Sequence, residues 1–281
     1  MPLPLTVTLW GVRGSIPAPG PETARYGGNT SCVAVEAGRR TLIFDAGTGI
    51  RALGRALAEG TDPVFLLVTH HHWDHIQGFP FFWPIYQPER EVHLIPYHDD
   101  STVLDSLLGQ MDGARFPVRP EHLKSRLRRV AEEPVPYLRG CGFGVSQLEV
   151  NHPGGCHGYR IEGATGDVVH IPDNELEPPG PKTVSFERLV EFCAGAAVLI
   201  HDAQYLPADM PLKHGWGHSV VEHVLQLAAA ARVGRVVLFH HDPDRSDAQV
   251  DVIQAQARAW LAAHAPGVEC DAAAEGMQFT V

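Results

Sequence analysis

A chain of 281 residues with 44% hydrophobic and 20% charged residues can bury a full core, and this balance excludes a disordered polymer. Thirty-three acidic against 22 basic side chains leave a net charge of −11, which excludes a protein that coats nucleic acid through general basicity. Five cysteines without a Cys-x-x-Cys pair, an N-terminus lacking a basic and an apolar targeting region, and no apolar run near the ~20 residues a membrane span needs lead us to expect a reduced, cytoplasmic protein with no membrane partner.

Short β-rich segments punctuated by glycine predict strands at 5–10, 31–36 and 40–45, with a Gly- and Pro-rich loop at 11–29. Residues 49–59 set Ile50, Leu53 and Leu57 on one helical face. The apolar run 64–68 predicts a buried strand, and it ends in Thr69-His70-His71-His72-Trp73-Asp74-His75. A further strand is expected at 91–96. Segment 98–140 differs from its surroundings. It holds a predicted helix at 101–110, then a basic stretch with Arg115, Arg119, Lys124, Arg126, Arg128, Arg129 and Arg139. We read it as an insertion or lid whose charges form a solvated helix face rather than a substrate dock. The pattern then restarts, with strands at 143–151, 159–162, 168–172, 197–201 and 236–240 and helices at 186–194, 219–232 and 249–264. Two successive strand-then-helix halves predict one α/β domain, 1–281, with two sheets face to face and helices outside.

The cluster at 69–75 carries the chemistry. His70 and His72 are two apart, so in an extended segment their rings share a side and can share one metal, while His71 points away. Asp74 and His75 follow a turn and can reach a second metal. Further candidates close the later strands: His152, Asp173, the pair His201-Asp202, and His240. Allotted together, His70, His72 and His152 surround one metal, Asp74, His75 and His240 a second, and Asp173 bridges them. Three histidines with an open position are the pattern of a catalytic zinc site. Imidazole and carboxylate suit zinc, manganese and iron alike, so two divalent cations are expected, zinc foremost. Such a pair holds a hydroxide between its members, and Asp74 is expected to orient it. Cys156 is left as a core thiol because the ligand set is complete without it. His157, His214 and His241 have structural readings at least as strong as a functional one. Trp73, Phe79, Phe81, Phe82 and Trp83 are expected to be core and pocket wall.

The cluster, the downstream His152, Asp173 and His240, and the strand end Phe44-Asp45-Ala46-Gly47 resemble the metallo-β-lactamase superfamily, in the same order along the chain. The resemblance implies a four-layer αββα sandwich with a binuclear metal site at one edge, and for Asp45 a supporting role behind the ligands. Gly11-Val12-Arg13-Gly14-Ser15, Gly27-Gly28-Asn29-Thr30-Ser31, His201-Asp202-Ala203 and Gly217-His218-Ser219 resemble the phosphodiesterase branch, which contains tRNase Z and the cyclic phosphodiesterase of phosphonate breakdown. That likeness implies that Asp202 supports His218, which contacts the scissile phosphate and helps the leaving group. An imidazole paired with a carboxylate stays protonated nearer neutral pH and can donate to an oxyanion. The chain departs from tRNase Z in three ways: Asp202 replaces Glu, Asp173 follows Ile171-Pro172 rather than glycine, and no long Gly- and Pro-rich arm is present. The expected enzyme is a binuclear metallohydrolase cleaving a small or nucleotide-like phosphodiester, with RNA not favoured and a homodimer as the default assembly. The alternative is a glyoxalase II-like thioesterase, whose motif the 69–75 string also resembles, although the segments around His152 and Asp173 fit it poorly. A non-catalytic metal-binding protein would show a damaged ligand set, and this set is complete.

Overall fold

The computed structural model describes residues 2–97, 102–210 and 212–281. The first half runs β1 (Leu5–Gly11), β2 (Cys32–Ala37), β3 (Arg40–Phe44), α1 (Ile50–Ala56), β4 (Val64–Leu67), α2 (Trp73–Ile76), β5 (Glu91–Ile95), α3 (Thr102–Leu108), β6 (Arg126–Arg129) and α4 (Pro134–Gly140). The second runs β7 (Val145–Val150), β8 (Cys156–Ile161), β9 (Val168–Ile171), α5 (Phe186–Cys193), β10 (Val198–Asp202), α6 (Val221–Ala231), β11 (Arg235–Phe239), α7 (Asp247–His264), β12 (Glu269–Ala272) and β13 (Gln278–Thr280). One sheet has the order β13-β1-β2-β3-β4-β5-β6 and the other β12-β11-β10-β9-β8-β7. Among the described residues no helix is long and apolar enough to cross a membrane.

Side-chain alternation explains the layering. In β3, Leu42 and Phe44 enter the core between the sheets, while Ile43 faces outward onto Ile50, Leu53, Leu104 and Leu107 of α1 and α3. In β10 and β11, Val198, Ile200, Val237 and Phe239 point inward, and Leu199, Val236 and Leu238 point toward α5, α6 and α7. Strands apolar on both faces need cover on both, and the result is helices, sheet, sheet, helices. Each fully buried Leu, Val or Phe contributes about 1.5–3 kcal/mol of burial free energy.

The basic stretch corrects one expectation. Arg126–Arg129 is not a helix face. It is an edge strand, with Arg126 in register with Glu91 and Arg129 with Leu94. The backbone edge left open by β5 accepts it, and its charged side chains blunt the new edge against further pairing. Arg115, Arg126, Arg128, Arg129 and Arg139 are all ion-paired, with Asp112, Glu89, Glu132, Asp105 and Glu162 respectively. Residues 98–101, which open the expected insertion and its helix, lie outside the described residues.

Candidate metal centre

His70, His152, Asp173 and His240 each sit just beyond the end of a strand. β3, β4 and β5 are parallel, as are β9, β10 and β11, so their C-terminal ends share one edge in each sheet. β7 is antiparallel to β8, which is antiparallel to β9, so β7 ends on that edge too. Four groups thereby meet: the 70–75 segment after β4, which runs into α2, His152 after β7, Asp173 after β9 and His240 after β11. His70, His72, His152 and Asp173 form one group with ligand atoms within 4.8 Å of one another. Asp74, His75 and His240 form a second, and Asp173, His218 and His240 a third. The seven residues of the expected allotment are thus brought together, and His218 joins them 3.9 Å from Asp173.

The orientation of each ring follows from its rear hydrogen bond. His75 Nδ1 donates to Asp45 Oδ2 at 2.7 Å, which turns Nε2 toward Asp173 Oδ1 at 3.2 Å. His152 Nδ1 donates to the Gly217 carbonyl at 2.8 Å, and its Nε2 lies 2.9 Å from His72 Nδ1. His240 Nδ1 donates to Gln204 Oε1 at 3.0 Å, and its Nε2 lies 3.1 Å from Asp74 Oδ2. The Thr69 hydroxyl donates to Asp45 Oδ2 at 3.0 Å and accepts from His70 Nδ1 at 3.2 Å. His70 Nε2, His75 Nε2 and Asp173 Oδ1 are buried with no hydrogen-bond partner. Buried polar atoms left unsatisfied are costly, and these three, spread over the two groups, fit donors to bound cations.

Protonation follows the same division. Burial, then His70, pushes His72 down to about 4; burial likewise pushes His152 down to about 3 although Asp173 opposes it. Both are neutral imidazoles at pH 7, the ligating form. Burial works against the charged forms of Asp74 and Asp173, but facing histidines outweigh it and hold both carboxyls below their ordinary range. His75 is raised well above 6.5, because Asp173, Asp74 and Asp45 outweigh its burial.

Beside this group, His218 Nδ1 donates to Asp202 Oδ2 at 3.1 Å and lies 3.9 Å from Asp173 Oδ2. Burial disfavours its charge, but Asp202 outweighs it and raises His218 to about 9. Asp202 also accepts from the backbone N–H groups of Asn174, Gln204 and Ser219. The histidines set aside in the sequence lie apart: His71 is exposed and stacks on Tyr97, His241 donates to the Ala273 carbonyl, and His214 to that of Glu177. Cys156 is a thiol of the outer core. The aromatic segment divides, with Phe79 and Phe82 buried and Trp73, Phe81 and Trp83 exposed.

Sequence reasoning missed several supports. Ser15 N–H donates to Asp74 Oδ2 at 2.7 Å. Gly14 lies so close that a Cβ would stand 2.5 Å from His240 Nδ1. Gln204 fixes His240, and the Glu175 carboxylate accepts from Gly215 and Gly217 N–H at 2.9 Å each, holding the loop before His218. Arg13, fully buried, donates to the carbonyls of Gly27, Asp242 and Arg245 and so pins the 13–15 turn.

A family profile described as a beta-lactamase superfamily domain matches residues 40–241. Ribonuclease Z of Bradyrhizobium sp. (strain ORS 278) is 23% identical over 73% of this chain and 81% of that protein. Ribonuclease Z of Staphylococcus carnosus (strain TM300) is 24% identical over 76% and 82%. Among solved structures, the metallo-beta-lactamase fold protein YhfI from Bacillus subtilis superposes with a TM-score of 0.68 at 20% identity, covering 99% of each chain. A diphosphatase from the PhnP family superposes with a TM-score of 0.67 at 19% identity, covering 100% of this chain and 98% of that one. With the profile spanning most of the chain and the fold shared end to end, this protein is a member of the metallo-β-lactamase superfamily of hydrolases.

Proposed function

We propose that the chain is a binuclear metal-dependent phosphodiesterase acting on a small or nucleotide-like phosphodiester. The observation that carries this reading is the buried His218–Asp202 pair set against the ligand cluster. His70, His72, His152 and Asp173 would hold one divalent cation, and Asp74, His75 and His240, with Asp173 shared, a second. The imidazole-rich donor set suits zinc, with manganese and iron as substitutes. Bound there, the cations supply Lewis acidity to phosphoryl oxygens and bring the pKa of water down to about 7.

The protein's own groups complete the chemistry. Asp74 Oδ2, aligned by Ser15 N–H, is placed to orient the attacking water by accepting a hydrogen bond from it. His218 spends Nδ1 on Asp202, which leaves Nε2–H to protonate the departing oxygen. A raised pKa of about 9 keeps that proton available at neutral pH. Ribonuclease Z relatives act as a nuclease by name and the PhnP-family neighbour is a diphosphatase, so hydrolysis at phosphorus is common to both and supports this reading. The ion-paired arginines of 102–140 and the net charge of −11 favour a small ester over RNA. Within the same proposal, residues 1–281 act as one domain and segment 98–140 is an insertion or lid.

The test is turnover of bis(p-nitrophenyl) phosphate against S-lactoylglutathione with added zinc or manganese. Cleavage of the phosphodiester, lost in His72→Ala, is the expected result. Turnover of the thioester alone would replace this reading with a thioesterase, and phosphodiesterase activity surviving His72→Ala would sink the two-cation arrangement.

A further inference from the structure

The loop from Tyr205 to Ser219 carries His218 and is tied down by two carboxylates. Glu175, two residues beyond Asp173, accepts from the Gly215 and Gly217 N–H groups at 2.9 Å each. Asp242, two residues beyond His240, accepts from Lys213 Nζ at 2.6 Å. Two segments that supply candidate ligands therefore also hold the loop that supplies His218.

The Lys213–Asp242 pair is unlike the exposed ion pairs of 102–140. Its side chains are 28% and 4% exposed. Asp242 is fixed from behind: its Oδ1 accepts from Asp244 N–H at 2.9 Å, and its carbonyl accepts from the buried Arg13 guanidinium at 3.1 Å. Arg245, in the same turn, pairs with Asp209 near the start of the loop. Exposed pairs contribute little, whereas taking the cation away from a buried carboxylate is costly, so this tether resists opening. The two ends of the loop are joined as well, with Tyr205 N–H donating to the Ser219 carbonyl at 3.1 Å.

Lys213 has a second contact, and it leads to His218. Its Nζ lies 4.7 Å from the centroid of the Tyr205 ring, the geometry of a cation over an aromatic face. Tyr205 is 1% exposed and meets the His218 ring edge-on, with centroids 5.5 Å apart and planes at 89°. His240 stacks on the same imidazole at 4.9 Å. The bond from His218 Nδ1 to Asp202 anchors one atom of the ring and leaves its plane unset. Packing against neighbours sets the plane, and Tyr205 is one of those neighbours.

Resting on the phosphodiesterase reading, we propose that Lys213 is a positioning residue for His218. Anchored on Asp242, it holds the loop and Tyr205 in place, and these hold the imidazole where Nε2–H meets the departing oxygen. Lys213 acts on the reaction only through His218.

The test compares diphenyl phosphate with bis(p-nitrophenyl) phosphate as substrates of the zinc-loaded full chain. The two share a skeleton, and only the phenolate of the first is a poor leaving group that needs a proton. Misplacing a donor is costly, so Lys213→Ala should lower kcat for diphenyl phosphate by about 10–100-fold and for the nitrophenyl ester far less. Lys213→Arg, which keeps the cation, should recover most of the loss. In a His218→Ala background, Lys213→Ala should add nothing, because a residue acting through another has no effect once that one is gone. Hydrogen exchange should quicken across 213–219 in Lys213→Ala, with zinc content unchanged. Equal slowing of both esters, a loss that adds to that of His218→Ala, or unchanged exchange would overturn the positioning role and leave phosphodiester cleavage standing. A rise in KM for both esters with kcat unchanged would make Lys213 a substrate contact instead. Wild-type protein that cleaves the nitrophenyl ester alone would have no donation to position and would overturn the proposal by itself. Cleavage of neither ester would overturn the phosphodiesterase reading and the proposal with it.

Discussion

Asp45 shows how much one residue carries. It adopts φ +66°, a left-handed conformation that costs a non-glycine residue on the order of 1 kcal/mol. In return its carboxylate accepts from Thr69 N–H at 2.8 Å, the Thr69 and Ser31 hydroxyls, and His75 Nδ1. Removing it leaves His75 free to rotate. Asp45→Ala should weaken zinc binding about 10–100-fold, as losses behind a ligating histidine commonly do. Asp45→Asn, which tolerates the same backbone, should recover part of that loss; chelator competition measures both, and unchanged affinity in the alanine variant would remove the supporting role. His218 is testable at the same scale. As a proton donor it matters most for a poor leaving group, so His218→Ala should slow an alkyl phosphodiester by about 10²–10⁴-fold and a p-nitrophenyl ester far less. Zinc content should be unchanged; a parallel loss of metal would make His218 a ligand of the third group instead. The candidate ligands were legible because His70, His72, Asp74 and His75 crowd one short string. Gln204 and Glu175 were not, because each supports a partner 36 or 42 residues away and has no local pattern; Ser15 stood in the 11–15 motif, but nothing there announced its bond to Asp74, 59 residues away.

Among elements, legibility followed length and periodicity. β4, β10 and β11 are apolar runs bounded by turn residues, and α7 opens with Ser246 and Gln249 capping each other. β12 and β13 span four and three residues and exist because they pair with β11 and β1, so nothing local announces them. The basic edge strand was misread for a related reason: Arg126–Arg129 has no apolar alternation, and only the open edge of β5 makes it a strand. α6 ends on Arg232 at φ 52°, a left-handed cap where glycine is the usual residue. Arg232 is exposed, and relieving its Cβ strain should outweigh the added flexibility. Arg232→Gly should therefore stabilise the protein by about 0.5–1 kcal/mol in urea unfolding. A lower midpoint would mean that Arg232 holds α6 through its side chain.

At the scale of the molecule, the candidate ligands come from both sheets. His70, His72, Asp74 and His75 follow β4 in one, while His152, Asp173 and His240 follow β7, β9 and β11 in the other. A cation held there ties the two sheets together at their edge, and its binding free energy adds to folding. At a hundredfold excess over Kd each bound ion contributes about 2.7 kcal/mol, so chelation should lower the melting temperature by on the order of 5–10 °C. The drop should depend on pH. Without metal, His75 and His218 are raised above 6.5, the latter to about 9, because carboxylates outweigh their burial. A raised folded-state pKa stabilises fully below the unfolded value and loses that contribution as pH climbs through the folded one. Above pH 6.5, where His72 and His152 are neutral in both states, the chelated protein should thus weaken steadily toward about pH 9. The zinc-loaded protein, whose His75 is held as a neutral ligand, should lose less over the same interval. Calorimetric scans of both forms from pH 6 to about 9 follow the difference directly, and a gap that stays constant or narrows as pH rises would show that these histidines do not carry charge in the metal-free fold.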